Sequence, residues 1–167
     1  MEKVTFLGTE VHTQGNMPEI GIQAPDFTVV KGDLTEIKLS DFRGKKVILN
    51  IFPSLDTPVC AMSVRKFNEA AASLDNTVIL AISMDLPFAQ ERFCTTEGIK
   101  NVIPVSLFRS HDFPASYGLI LADGPLAGLT ARAVLLIDEK GMVVYKELVQ
   151  EITTEPDYSK VLDILKD

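Results

Sequence analysis

Val47-Ile48-Leu49-Asn50-Ile51-Phe52-Pro53 runs directly into Ser54-Leu55-Asp56-Thr57-Pro58-Val59-Cys60. The first part is a nearly continuous apolar run halted by proline, the pattern of a central strand buried on both faces. The second part leads into a helix. Val64, Phe67, Ala71 and Leu74 recur at three- and four-residue spacing as one apolar stripe, and Asp75-Asn76 ends it. Thr57 stands where an N-cap belongs and Pro58 where a first helical residue belongs. A buried strand feeding a helix is the start of a crossover unit, and the rest of the chain is read outward from it.

Downstream, Val78 to Ser83 predicts a second buried strand, Pro87 to Glu97 a second helix stopped by Gly98, and Val102 to Leu107 a third strand. Residues 110 to 130 read as loop. Ala131 to Ile137 and Met142 to Val149 flank Asp138-Glu139-Lys140-Gly141, a hairpin signal, and Tyr158 to Leu165 reads as a closing helix. Upstream, Pro25 to Val30 and Glu36 to Leu39 are short strands around Lys31-Gly32-Asp33. Val4 to Leu7 and Glu10 to Thr13 form an N-terminal hairpin around Gly8. Alternating strands and helices imply parallel strands with crossover helices, and the late hairpin adds antiparallel strands at an edge. The expected fold is α/β, a three-layer α/β/α arrangement with a central mixed sheet and an N-terminal hairpin extension. That pattern resembles the thioredoxin-like architecture.

The chain has 167 residues, which predicts one domain spanning 1–167. A chain of this size buries roughly two-thirds of its unfolded surface, so its core needs no metal or disulfide staple. Its composition, 46% hydrophobic and 23% charged, is that of an ordered globular protein. The net charge of −7 argues against nucleic acid or anionic lipid as a partner. No apolar run reaches the ~18 residues of a membrane span, and the N-terminus lacks the apolar core of a signal peptide. The expected location is the cytoplasm. Two cysteines, Cys60 and Cys94, and two histidines, His12 and His111, lie at wide spacings. That arrangement is neither a disulfide scaffold nor a zinc site.

Cys60 falls about three residues past the N-cap position, where backbone N–H groups have no intrahelical partner and the helix dipole is positive. Both features favour a thiolate, the reactive form of cysteine. Cys60 also extends the apolar stripe, being four residues before Val64, and free cysteine is among the most buried residue types. Reactive thiolate and core packing both stand as readings of this residue alone.

Pro53, Thr57 and Cys60 form Pro-x-x-x-Thr-x-x-Cys, which resembles the active-site signature of the peroxiredoxins. Arg132, in Thr130-Ala131-Arg132-Ala133-Val134, fits the family's distant arginine on a later strand; taken alone it reads equally as a paired buried cation or as a strand-end arginine reaching solvent. Asn50-Ile51-Phe52-Pro53-Ser54, Asp85-Leu86-Pro87-Phe88-Ala89-Gln90, Ala122-Asp123-Gly124-Pro125-Leu126 and Glu151-Ile152-Thr153-Thr154-Glu155-Pro156-Asp157-Tyr158 look like the bacterial thiol peroxidase subfamily. This subfamily consists of atypical two-cysteine peroxiredoxins. The similarity runs over essentially the whole chain.

The resemblance implies a thiol-specific peroxidase acting on hydrogen peroxide and alkyl hydroperoxides in antioxidant defence. Cys60 would be the peroxidatic cysteine, oxidised to sulfenic acid. Thr57 would hydrogen-bond thiolate and peroxide, Arg132 would hold the thiolate charge and the leaving oxyanion, and Pro53 would shield the site. Cys94 would be the resolving cysteine, forming an intrachain disulfide with Cys60 that thioredoxin reduces. A homodimer is implied, and no cofactor or metal. Because a disulfide needs Cα atoms within about 7 Å, the first turn at Cys60 and the helix around Cys94 are expected to unfold locally. Phe52, Leu55, Phe88 and Phe93 are candidate apolar surroundings, and Phe88, Ala89 and Phe93 are expected to hold the second helix in the core. Two other readings compete. One is a cysteine hydrolase or transferase with His111 as base; the other is a redox sensor passing its disulfide to a partner.

Overall fold

The computed structural model describes residues 1–166; Asp167, the last residue of the expected domain, lies outside the described residues. The chain runs β1 (Lys3–Phe6), β2 (Thr9–His12), β3 (Thr28–Lys31), β4 (Glu36–Lys38), a 3-10 turn (Leu39–Phe42) and β5 (Lys46–Ile51). It continues through α1 (Pro58–Ala71), β6 (Thr77–Ser83), α2 (Pro87–Glu97), β7 (Ile103–Ser106) and α3 (Asp112–Tyr117). It closes with β8 (Ala133–Ile137), β9 (Val143–Leu148) and α4 (Tyr158–Lys166). β1 and β2 form a separate hairpin, and the other seven strands form one mixed sheet in the order β4-β3-β7-β6-β5-β8-β9. β5 pairs in parallel with β6, and β6 with β7, through the crossover helices α1 and α2. β8 pairs antiparallel with β5 and carries β9 to the edge.

Strand residues alternate between faces, and here both faces are covered. Val47, Leu49 and Ile51 of β5, Leu80 and Ile82 of β6, and Leu135 and Ile137 of β8 feed one apolar cluster, shared with Phe113 and Tyr117 of α3 and Val4 and Val11 of the hairpin. Ile48 and Phe52, Ile79 and Ala81, and Val134 and Leu136 feed the other, shared with Val64 and Phe67 of α1 and Val161 of α4. Cys60 belongs to this second cluster, and Cys94 packs against it. This is the expected mixed α/β/α arrangement with its N-terminal hairpin. On the first face the helical layer is short, and the hairpin completes the cover.

Among the boundaries that differ from the sequence reading, three have a plain local cause. α1 stops at Ala71 rather than near Asp75, because Ser73 N–H donates to Ala70 O and Leu74 N–H to Ala71 O in tighter turns. Leu74 still reaches the cluster. Residues 112–117, read as loop, form α3, which buries Phe113 and Tyr117 one turn apart and ends at Gly118 with φ 66°. A side chain at Gly118 would collide with the Asn16 backbone, so only glycine fits there. β8 starts at Ala133 rather than Ala131. The β5–β8 ladder ends at Ile51 and Ala133, and Pro53 has no N–H to extend it. Ala131 N–H donates instead to Leu119 O. Arg132 therefore sits in the loop just before the strand, at the end of β5 from which α1 departs.

Candidate active site

The loop between β5 and α1 is pinned from the neighbouring strand. Ser54 Oγ donates to Asp85 Oδ1 (2.7 Å), Leu55 N–H to Asp85 Oδ2 (2.7 Å) and Ser83 Oγ to Asp85 Oδ2 (2.8 Å). One carboxylate just past β6 thus fixes the turn that aims α1. Thr57 occupies the N-cap with extended backbone and Pro58 follows it inside the helix. The Thr57 side chain makes no capping bond. Its hydroxyl donates to Ser54 O at 2.8 Å, which leaves its lone pairs open. Thr57 is exposed and Pro53 is buried.

Cys60, fully buried, lies in the first turn of α1. Its carbonyl accepts from Ser63 Oγ (2.8 Å), and Ser63 Oγ accepts from Asn50 Nδ2 of β5 (3.2 Å). Asn50 thereby moors the cysteine's turn to the central strand. Arg132 is only 2% exposed. Its Nη2 donates to Cys60 Sγ at 3.1 Å and its Nε donates to Ile152 O at 2.8 Å. Its Nη1 has no partner among the described residues. A buried cation is costly unless its donors are used. Here two of its three nitrogens are fixed, one of them on sulfur, and the third is free to bind something else. The strand-end arginine reaching solvent is ruled out by this burial.

Beside them lies a cavity of about 310 Å³ with apolar walls. Pro53, Thr57 and Arg132 line it together with Phe6, Leu126, Leu129 and Ile152. Phe52 and Leu55 share the buried cluster of Cys60, with Phe93 packed against it, but none of them nor Phe88 lines the cavity, whose walls come from the hairpin, the start of α1 and two later loops. Phe88 is 64% exposed and does not hold α2 in the core. Phe93 does pack against the second cluster as expected, and Pro87 and Gln90 are buried beside it, with Gln90 Nε2 donating to Ser83 Oγ (3.1 Å) and Val105 O (2.8 Å).

Cys60, Arg132, Thr57 and Pro53 are therefore brought together, and Cys94 stands apart from them. Both cysteines are free. Cys94, half-buried on α2, lines a separate groove with Glu91 and Ile103. Burial pushes its thiol up to about 11, so in this fold it stays protonated. His111 precedes α3, on the sheet face opposite Cys60, and is exposed; it offers no base to the sulfur. His12 is engaged elsewhere, between Asp123 Oδ2 (2.8 Å) and Glu10 Oε1 (3.1 Å). Among the described residues no group of three His, Cys, Asp or Glu could hold a metal ion, and no helix is long and apolar enough to cross a membrane.

Sequence reasoning missed Asp85, Ser63 and the wall residues Phe6, Leu126, Leu129 and Ile152 as parts of this site. Asp85 and Leu126 lie inside the recognised segments, but only the folded chain shows what they touch.

The family described as Redoxin matches residues 19–162. A Corynebacterium glutamicum protein named thiol peroxidase is 54% identical over 165 residues, covering 99% of each chain. The crystal structure of a peroxiredoxin-like protein from Aquifex aeolicus superposes with TM-score 0.93 at 40% identity, covering 98% of this chain and 95% of that one. A thiol peroxidase from Chromobacterium violaceum shares the fold, with TM-score 0.90 at 22% identity over 98% and 95% of the two chains.

Proposed function

The chain belongs to the Redoxin family, and from that premise we propose that it is a thiol peroxidase of the atypical two-cysteine kind, reducing hydrogen peroxide and alkyl hydroperoxides. The observation that carries the reading is the contact between Cys60 Sγ and Arg132 Nη2, with Nη1 of the same guanidinium unpartnered.

Cys60 attacks as thiolate, stabilised by the adjacent guanidinium and by the N-terminal end of α1. Its sulfur bonds to the terminal peroxide oxygen and the O–O bond breaks. The electron pair leaves with the distal oxygen, which takes up a proton and departs as water or alcohol. Sulfur is oxidised to sulfenic acid and the peroxide is reduced. Arg132 Nη1 supplies the donor for the oxygen on which charge develops. The lone pairs of Thr57 Oγ1 can accept from the hydroperoxide O–H, since its own proton is given to Ser54 O. Pro53 and the apolar walls exclude water, and the size of the cavity suits an alkyl tail as well as hydrogen peroxide.

Cys94 then attacks the Cys60 sulfenic sulfur, water leaves, and an intrachain disulfide forms. While buried, Cys94 is held as a thiol, and only the thiolate attacks. Release of α2 from the sheet would return it to an ordinary thiol range, so resolution requires local unfolding. Thioredoxin, a dithiol donor, reduces the disulfide and completes the cycle. A homodimer within the cytoplasm, serving antioxidant defence, is part of this reading.

The test is peptide mass spectrometry on reduced protein given one equivalent of cumene hydroperoxide, with free thiols trapped by alkylation. The expected product is a linked Cys60–Cys94 peptide pair, and Cys94→Ser stops at a Cys60 sulfenic acid. If both thiols stay alkylatable after rapid mixing, the peroxidase reading fails.

A further inference from the structure

Arg132 touches Cys60 with one nitrogen and is anchored by another, the Nε donated to Ile152 O. Where the guanidinium points therefore depends on where the Ile152 carbonyl sits. Ile152 belongs to no helix or strand; it lies in the turn between β9 and α4. Two backbone bonds to β1 hold that turn, Thr5 N–H to Gln150 O (2.7 Å) and Ile152 N–H to Thr5 O (2.9 Å).

The side chain of Glu151 adds the rest. Its Oε1 accepts from Thr5 Oγ1 (2.9 Å) and Gly8 N–H (2.9 Å), and its Oε2 from Thr153 N–H (2.8 Å), Thr153 Oγ1 (2.6 Å) and Leu7 N–H (3.4 Å). Leu7 and Gly8 both have positive φ, and this tight tip brings both amides to the same carboxylate. One carboxylate thus gathers donors from the hairpin tip and from the turn that presents Ile152. The same segments bring Phe6, Ile152 and Thr153 to the cavity wall.

We infer that Glu151 is a positioning residue for the peroxidase reaction: it fixes the Ile152 carbonyl, and through it the Arg132 guanidinium against the Cys60 sulfur. The inference rests on the roles given to Cys60 and Arg132 above. Its chain of contacts runs from Glu151 through the Ile152 carbonyl and Arg132 to Sγ, and Glu151 itself touches no reacting atom. The carboxylate is held well below its ordinary range, at about 2, first by the Thr153 hydroxyl and then by the Thr153 and Gly8 amides. It accepts these donors as a full anion at neutral pH.

Glu151→Gln tests the inference. The amide keeps one acceptor oxygen but turns an NH₂ toward donors on its other side, where two donors cannot pair. In a Cys94→Ser background, so that Cys60 is the sole thiol, two quantities are read: the second-order rate with hydrogen peroxide, and the ultraviolet thiolate absorbance at neutral pH. The expected result is a rate loss of about tenfold to a hundredfold, as for a displaced catalytic group, together with a weaker thiolate absorbance. A simple staple would lower thermal stability and leave the absorbance of the folded protein unchanged. Thr5→Val removes a single donor and leaves β1 intact, so it serves if Glu151→Gln does not fold. Its expected loss is about two- to fivefold, the worth of one hydrogen bond. A folded Glu151→Gln, or failing that Thr5→Val, with parental rate and absorbance overturns the inference. Failure of the peroxidase reading would show differently, as a parent that does not react with peroxide, and the thiolate absorbance would still report on Glu151.

Discussion

Arg132 performs two tasks with one planar group. Nε is committed to the Ile152 carbonyl and Nη2 to the Cys60 sulfur, while Nη1 has no partner among the described residues. Lysine carries the same charge but only one nitrogen, on a flexible stem, and cannot reproduce that fork. Arg132→Lys is expected to slow the peroxide reaction of reduced protein by about 10²- to 10³-fold, the scale seen when one preorganised donor is lost from a site where charge develops. Arg132→Met, which keeps bulk but no charge, should lose at least as much. Stopped-flow single-turnover rates with hydrogen peroxide decide the matter. A lysine variant at the parental rate would mean that a nearby point charge suffices and that the fork geometry is irrelevant. The two readings of Cys60 in the sequence are reconciled here. It is fully buried, as a core cysteine would be, and it is paired with a cation, which a core cysteine would not need.

The helices that carry the two cysteines are tied to each other. Arg65 of α1 forks onto Glu97 of α2, with Nε to Oε2 at 2.9 Å and Nη2 to Oε1 at 2.8 Å. Asp85 ties the Ser54–Leu55 loop to Ser83, and Ser83 accepts from Gln90 of α2. The loop before α1 and the first half of α2 thus share one polar network, and releasing one segment removes partners from the other. The exposed Arg65–Glu97 pair is screened by solvent, and the α2 face buries few apolar side chains. These are the features of a segment that opens locally. Amide exchange is expected to differ between reduced and disulfide forms at residues 57–62 and 90–97, with faster exchange in the disulfide form. Identical exchange in the two forms would rule out local unfolding as the route to the disulfide. The bounds of α2 were legible because proline opens it and a left-handed glycine closes it, both local signals. α3 was not, since six residues with one buried aromatic pair give too short a period to read. The early end of α1 was hidden too, because Leu74 keeps the stripe going after the helix has tightened into a turn.

At the scale of the whole molecule, the chain closes on itself. β1 near the N-terminus is bonded to residues 150–152 near the C-terminus, and this closure supports Arg132. That explains what the sequence could and could not show of the site. Pro53, Thr57 and Cys60 are neighbours along the chain, so their spacing is visible as a motif. The walls and the support of Arg132 come from segments separated by most of the chain, and no periodicity records which of them meet. The same closure governs the response to pH. Donors hold Asp26, Asp33, Glu97, Asp123, Glu151 and Asp157 below their ordinary values. Each such carboxylate contributes stability fully above its ordinary value, at most 4.5, and loses it as pH falls through the depressed one. His12 runs the other way. Its hydrogen bond to Asp123, with a further contribution from Glu10, raises it above 6.5, so its contribution is full below 6.5 and fades as pH climbs through the raised value. Rising pH also increases a net charge already at −7, which adds self-repulsion. Stability should therefore peak between pH 4.5 and 6.5. The acid limb should be the steeper, since several carboxylates act there against one histidine. Urea midpoints measured across pH, with His12→Asn beside the parent, test this. The variant's midpoint should lie furthest below the parent's under pH 6.5 and converge on it above the His12 transition. A parent whose midpoint keeps rising through neutrality would show that the bridge from β2 to the Asp123 loop contributes nothing to holding the molecule closed.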